Sequence, residues 1–101
     1  MNPKFWGMLS LAMRAGRLAV GEAKVTDAVR DGKAQLLLLA EDAGPNTEKK
    51  VLDMSAYRKI PILRPGGRQE LGKAIGREFV VVLAVTDTGF SGQLSTLFEN
   101  N

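Results

Sequence analysis

In the stretch VGEAKVTDAVRDG, residues 20–32, Glu22, Lys24, Thr26 and Asp27 crowd what should be the first turns of a helix. Val25, Ala28 and Val29 fall on one stripe, which predicts a helix over residues 21–31 stopped by Gly32. That stripe leaves Lys24, Asp27, Arg30 and Asp31 to solvent or to a partner. A helix mouth offers free backbone N–H groups that can receive phosphate. The competing reading is a wet face on which Lys24 and Asp27, three residues apart, pair with each other.

Other candidate chemistry is thinner. Glu41 and Asp42 follow an apolar run, a position where α/β proteins often place their sites, and adjacent carboxylates on a loop could hold a divalent ion. A third acidic ligand is lacking nearby, so helix capping or loop solvation is the better reading. PGGR, residues 65–68, could offer N–H groups to a phosphate beside Arg68, although a turn feeding a helix explains it more simply. Neither GxGxxG nor GxxxxGK[ST] occurs, so the usual nucleotide-binding loops are absent.

With no histidine and no cysteine, a Ser-His-Asp triad, a thiolate nucleophile and a Cys/His zinc site are all excluded. The cysteine count also favours an intracellular setting. The formal charge of +3 is unevenly spread. Residues 1–35 carry +3, residues 36–57 carry −2, residues 58–77 carry +5 and the remainder −3. The second basic block holds Arg58, Lys59, Arg64, Arg68, Lys73 and Arg77 against the single carboxylate Glu70, at spacings that spread it over more than one face. Phosphates are sensible partners for such blocks. Phe79 follows GRE at the entrance to a strand; burial in the core and exposure at a binding edge both fit it.

The elements that must position these groups follow from periodicity. Phe5, Met8, Leu9, Ala12 and Met13 mark a first helix ended by Gly16, a structural helix rather than a signal peptide. RLAV is a short extended piece. AQLLLLA, residues 34–40, suits a strand buried on both faces. Asn46 or Thr47 should cap a helix running to about Arg58, with Val51, Leu52, Met54 and Ser55 inward. IPILR reads as a short strand kept to an edge by Pro61. RQELGKAIG is a short helix, FVVVLAVT a second buried strand, DTG a turn, and FSGQLSTLFEN a closing helix. The order α-β-α-β-α-β-α-β-α predicts a three-layer α/β/α sandwich around a small, parallel or mixed sheet.

The run AGRLAVGEAKVTDAVRDGKAQLLLLAEDA, then IPI, QELGKAIG and VVVLAVTDTGF, resembles the kink-turn-binding ribosomal protein family that includes L7Ae and L30e, and within it the bacterial YlxQ-type branch. The likeness covers essentially the whole chain. It implies one domain over residues 1–101, an α/β sandwich with a mixed four-stranded sheet, RNA recognition without catalysis, and ties to ribosome and translation factors. In kink-turn readers of this family the segment starting at the position of Gly21 runs Gly-x-Asn-Glu-x-x-Lys. The Asn and Glu read guanines of sheared G·A pairs, and the Lys holds phosphate or a base edge. Ala23, Lys24 and Asp27 stand at those three positions. Either Glu22 and Asp27 supply the carboxylate one step away, with Lys24 and Arg30 on phosphate, or this branch binds another RNA or only protein. The family's second contact, an apolar loop before the last strand, falls on Phe79 and Val80, with Arg77 adding charge.

The expectation is therefore a cytoplasmic RNA-binding protein that is not an enzyme. It would need no cofactor, metal, membrane or small-molecule substrate, and ribosomal proteins or translation factors are further candidate partners. Its interface would comprise Gly21, Glu22, Ala23, Lys24, Asp27, Arg30, Lys33, Arg77, Phe79 and Val80. The alternative is a protein-docking module on the same scaffold. The RNA reading requires the positive side chains and Phe79 to converge on one surface.

Overall fold

A computed structural model describes residues 2–100. The nine elements are α1 (Pro3–Arg14), β1 (Leu18–Val20), α2 (Glu22–Arg30), β2 (Leu36–Leu39), α3 (Pro45–Arg58), β3 (Ile62–Leu63), α4 (Arg68–Ala74), β4 (Val82–Val85) and α5 (Thr88–Glu99). The sheet runs β1-β4-β2-β3, antiparallel at β1/β4 and β4/β2 and parallel at β2/β3, so it is mixed and four-stranded as expected. Pro61 precedes β3, which sits at an edge.

The two central strands explain their own composition. Every residue of β2 and β4 is buried, because alternate side chains enter two separate cores. Leu36, Leu38, Leu83 and Val85 pack against Phe5 and Leu9 of α1, Leu71 of α4 and Leu94 of α5. Leu37, Leu39, Val82 and Ala84 pack against Val25, Ala28 and Val29 of α2 and Val51 of α3. The α2/α3 pair thus covers one face, and α1, α4 and α5 cover the other.

Local starts differ from expectation in three places. α3 begins at Pro45, with Gly44 rather than Asn46 or Thr47 at the cap. Proline has no N–H needing a cap and its φ is already helical, so it takes the first position. α5 begins at Thr88, because the Asp87 carboxylate accepts a hydrogen bond from the Phe90 N–H at 2.8 Å. DTG is therefore a cap and first turn, not a loop. β4 starts only at Val82, leaving Phe79–Val81 outside the strand. Leu52, expected inward, is 39% exposed; Val51 and Ser55 take the buried side of α3.

Asp42 resolves the acidic pair. Its carboxylate accepts the Arg68 backbone N–H at 2.9 Å and approaches the Arg68 guanidinium at 3.4 Å, so it caps α4 across 26 residues of sequence. Glu70 closes the same helix end by accepting the Gly67 N–H at 3.0 Å. The Gly67 and Arg68 N–H groups are thus engaged by carboxylates instead of a phosphate. The Arg68 backbone hydrogen bond, aided by the guanidinium, holds the Asp42 carboxyl below the usual aspartate range. A lowered folded-state pKa stabilises fully above the unfolded value and stops doing so as pH falls through the folded one. The melting temperature of the parent should therefore approach that of Asp42→Asn as pH drops below about 4, while the gap between them stays constant from about pH 5 to 8. A thermal melt series with parallel pH profiles would refute this.

Candidate nucleic-acid interface

The mouth of α2 is set by Gly21. Its φ of 96° and ψ of 158° lie where side-chain-bearing residues are strained, and its N–H donates to the Val82 carbonyl at 3.0 Å. Strand β1 is thereby turned directly into α2 at one end of β4. No side chain among the described residues caps this helix, which leaves its first N–H groups without a side-chain acceptor. Ala23 and Lys24 are exposed on the first turn.

A second segment reaches the same place from α4. The Arg77 N–H donates to the Gly72 carbonyl at 2.8 Å and the Val80 N–H to the Arg68 carbonyl at 2.9 Å, which folds residues 77–80 back over their own helix. Gly72 permits this approach: a Cβ on it would lie 2.6 Å from the Phe79 Cα. Val80 is 5% exposed and packs into the core, whereas Phe79 is 57% exposed. The aromatic ring is therefore at a rim, and Val80 works as its anchor rather than as a contact surface. Glu78, also exposed on this segment, has no ion pair among the described residues.

The two segments enclose one hollow of about 270 Å³, lined by Gly21, Glu22, Thr47, Arg77, Phe79 and Val80. Glu22 is held there by Lys50, 3.0 Å away, with the Thr47 hydroxyl donating to its other oxygen at 3.5 Å. The charge of Glu22 is thus offset at the glycine entrance. Thr47 and Lys50 were not among the expected site residues. They come from the start of α3, 25 and 28 residues away, and no local pattern announces that α2 and α3 begin side by side.

The rest of the expected set lies elsewhere. Asp27 pairs with Arg30 at 2.9 Å, not with Lys24, and Arg30 also reaches Asp31 at 3.6 Å. Arg30, on the last turn of α2, is about 12 Å along the helix from the mouth. Lys33 is farther still: the neighbouring Gln35 N–H binds the Val85 carbonyl, at the opposite end of β4 from Gly21. The second basic block disperses as its spacing implied. Arg64 donates to the Ala40 carbonyl at 3.0 Å and pairs with Glu48 at 2.7 Å, tying β3 to α3. Arg68 is bound to Asp42, and Lys73 lies beside Trp6 and Ser10 on the other face. Only Arg77 of that block reaches the hollow.

The model of the ribosomal protein L7Ae/L30e/S12e/Gadd45 family matches residues 4–95. The chain is 43% identical over 96 residues to the RNA-binding protein YlxQ of Bacillus subtilis (strain 168), covering 95% of this chain and 96% of that one. It is 32% identical over 94 residues to the large ribosomal subunit protein eL30 of Spodoptera frugiperda, covering 91% and 83% of the two chains. A solved protein of unknown function from Bacillus halodurans C superimposes with a TM-score of 0.91 at 44% identity, over 95% of this chain and 97% of that one.

Proposed function

The chain belongs to the ribosomal protein L7Ae/L30e/S12e/Gadd45 family, and from that premise we propose that it binds structured RNA, of the kink-turn type, at the hollow between the α2 mouth and the Phe79 rim. The expected convergence of charge is met only in part, since Arg30 and Lys33 lie away from the hollow; the observation carrying this reading is that Gly21 and Arg77 with Phe79, 56 or more residues apart in sequence, line one concave surface. The uncapped N–H groups of α2 and the Arg77 guanidinium suit phosphate, and the Phe79 ring suits an unstacked base. Ribosomal RNA or another folded RNA supplies both the phosphate and the unstacked base, and the relatives named RNA-binding protein and ribosomal protein support the same partner. The role needs no catalytic group.

A mobility-shift series with kink-turn, duplex and hairpin RNAs at low salt tests this. Structured RNA should be retarded, with log affinity falling linearly as log salt rises. No shift with any RNA would sink the reading in favour of a protein-docking module on this scaffold.

Kink-turn reading itself turns on three positions. Ala23 and Lys24 are exposed and Asp27 is held only by a surface pair, so all three can change without disturbing the core. Ala23→Asn with Lys24→Glu and Asp27→Lys should strengthen kink-turn binding by about tenfold or more, the scale of one good base-edge contact. Unchanged or weaker retardation would contradict it.

A further inference from the structure

Three of the basic groups that miss the α2 mouth, Lys33, Arg58 and Lys59, lie at the other end of the same helix pair. α2 and α3 run side by side in one direction: Glu22 meets Thr47 at their starts, and Thr26 meets Met54 at mid-length. At their ends, Val29, Gly32 and Gln35 line a hollow of about 310 Å³ with Arg58, Lys59 and Ile60. Lys33 stands exposed between two residues of that lining. The carboxylate nearest in sequence, Asp31, is engaged by Arg30. Lys33, Arg58 and Lys59 have no carboxylate partner among the described residues.

Helix C-termini attract cations, and that alone accounts for Arg58. It does not account for two further features. Tyr57 is 83% exposed, more than any other large apolar side chain described, and the Arg58 guanidinium lies 5.8 Å from its ring centroid. Lys59 has a φ of 56°, whereas α1, α2 and α4 are each followed by a glycine, Gly16, Gly32 and Gly76, at φ between 72° and 77°. A lysine is thus retained in a left-handed conformation that the chain elsewhere gives to glycine.

We propose that this end of the α2/α3 pair is a second RNA-contact surface, taking an unpaired single-stranded segment. Tyr57 stacks a base, and Lys33, Arg58 and Lys59 neutralise the backbone around it. The inference rests on the RNA reading above but uses none of the residues at the α2 mouth. It gives one folded RNA two anchorage points, at opposite ends of β4.

Binding of free oligouridine and of a structured hairpin, each measured by fluorescence anisotropy at several salt concentrations, separates the two surfaces. Tyr57→Ala should weaken oligouridine binding about tenfold and leave the hairpin unaffected. Arg58→Gln with Lys59→Gly should lower the oligouridine salt slope by about 1.4. Lys59→Gly alone should lower that slope by about 0.7 and melt no lower than the parent, so its weaker binding cannot be ascribed to unfolding. Arg77→Glu should weaken the hairpin and spare oligouridine. If oligouridine binds no worse to Tyr57→Ala, or fails to bind while the hairpin does, this surface is refuted and the mouth stands. If Arg77→Glu abolishes both equally, one surface serves both RNAs and the proposal is equally refuted.

Discussion

Gly72→Ala should lower thermal stability and RNA affinity together, although it replaces glycine with a better helix former. Within α4 the exchange would gain about 1 kcal/mol of helix propensity. The added Cβ, however, would stand 2.6 Å from the Phe79 Cα, 2.8 Å from its nitrogen and 2.9 Å from the Arg77 carbonyl oxygen. All three are backbone atoms, with no flexible end to yield. Either α4 or residues 77–80 must move, and overpacking of this kind costs about 1–3 kcal/mol. The segment that yields carries Arg77 and Phe79, so on the proposed reading the contribution of a stacked base, about 1–3 kcal/mol, would be lost as well. Phe79→Ala is the control: its ring is 57% exposed, so affinity should fall while the melting temperature holds. A Gly72→Ala protein that melts and binds like the parent would show that the close approach is not what shapes the rim.

The largest effect on the fold itself is expected at Leu38. Its side chain is fully buried in the core that β2 and β4 share with α1, α4 and α5, and it pairs across the sheet with Leu83. Leu38→Ala should destabilise by about 2–5 kcal/mol, combining lost transfer energy with the cavity left behind. A domain of this size has only about 5–15 kcal/mol in total. Urea denaturation should show a large drop in midpoint with an unchanged slope. Leu52→Ala on α3, 39% exposed, should change the unfolding free energy by no more than about 0.5 kcal/mol, a small shift in midpoint. Comparable shifts for the two would mean that the central strands are not the main reservoir of stability.

Much of this architecture was legible in the residues because it rests on local periodicity. The i, i+3, i+4 pattern of α1 and the unbroken apolar runs of β2 and β4 each have one consistent reading. Element order, and with it the layered class, followed. The start of α3 was misplaced because Pro45 needs no side-chain cap, so the polar Asn46 and Thr47 carried a false signal. Phe79 was ambiguous for a different reason: nothing local tells a ring entering a strand from one held off it. What lifts Phe79 out is a glycine seven residues earlier, and that glycine's role appears only once α4 and its following segment are folded together. The candidate site was half legible. Gly21, Glu22, Arg77 and Phe79 do converge, while Arg30 and Lys33 lie at the far end of α2, as the rise per residue from Gly21 already requires. Lys50 was out of reach, since its partnership with Glu22 depends on two helix starts lying abreast.

The borders of the sheet have a consequence for how this chain fails. LLLL in β2 and VLAV in β4 are uncharged apolar strands that would favour intermolecular pairing if exposed, and both are enclosed. The two outer strands, β1 with three residues and β3 with two behind a proline, give an incoming chain almost no ladder to extend. Intact molecules should therefore stay apart even when crowded. Clumping would begin only when the fold opens, so a variant weakened in its interior would be lost from solution in step with the fraction of molecules unfolded.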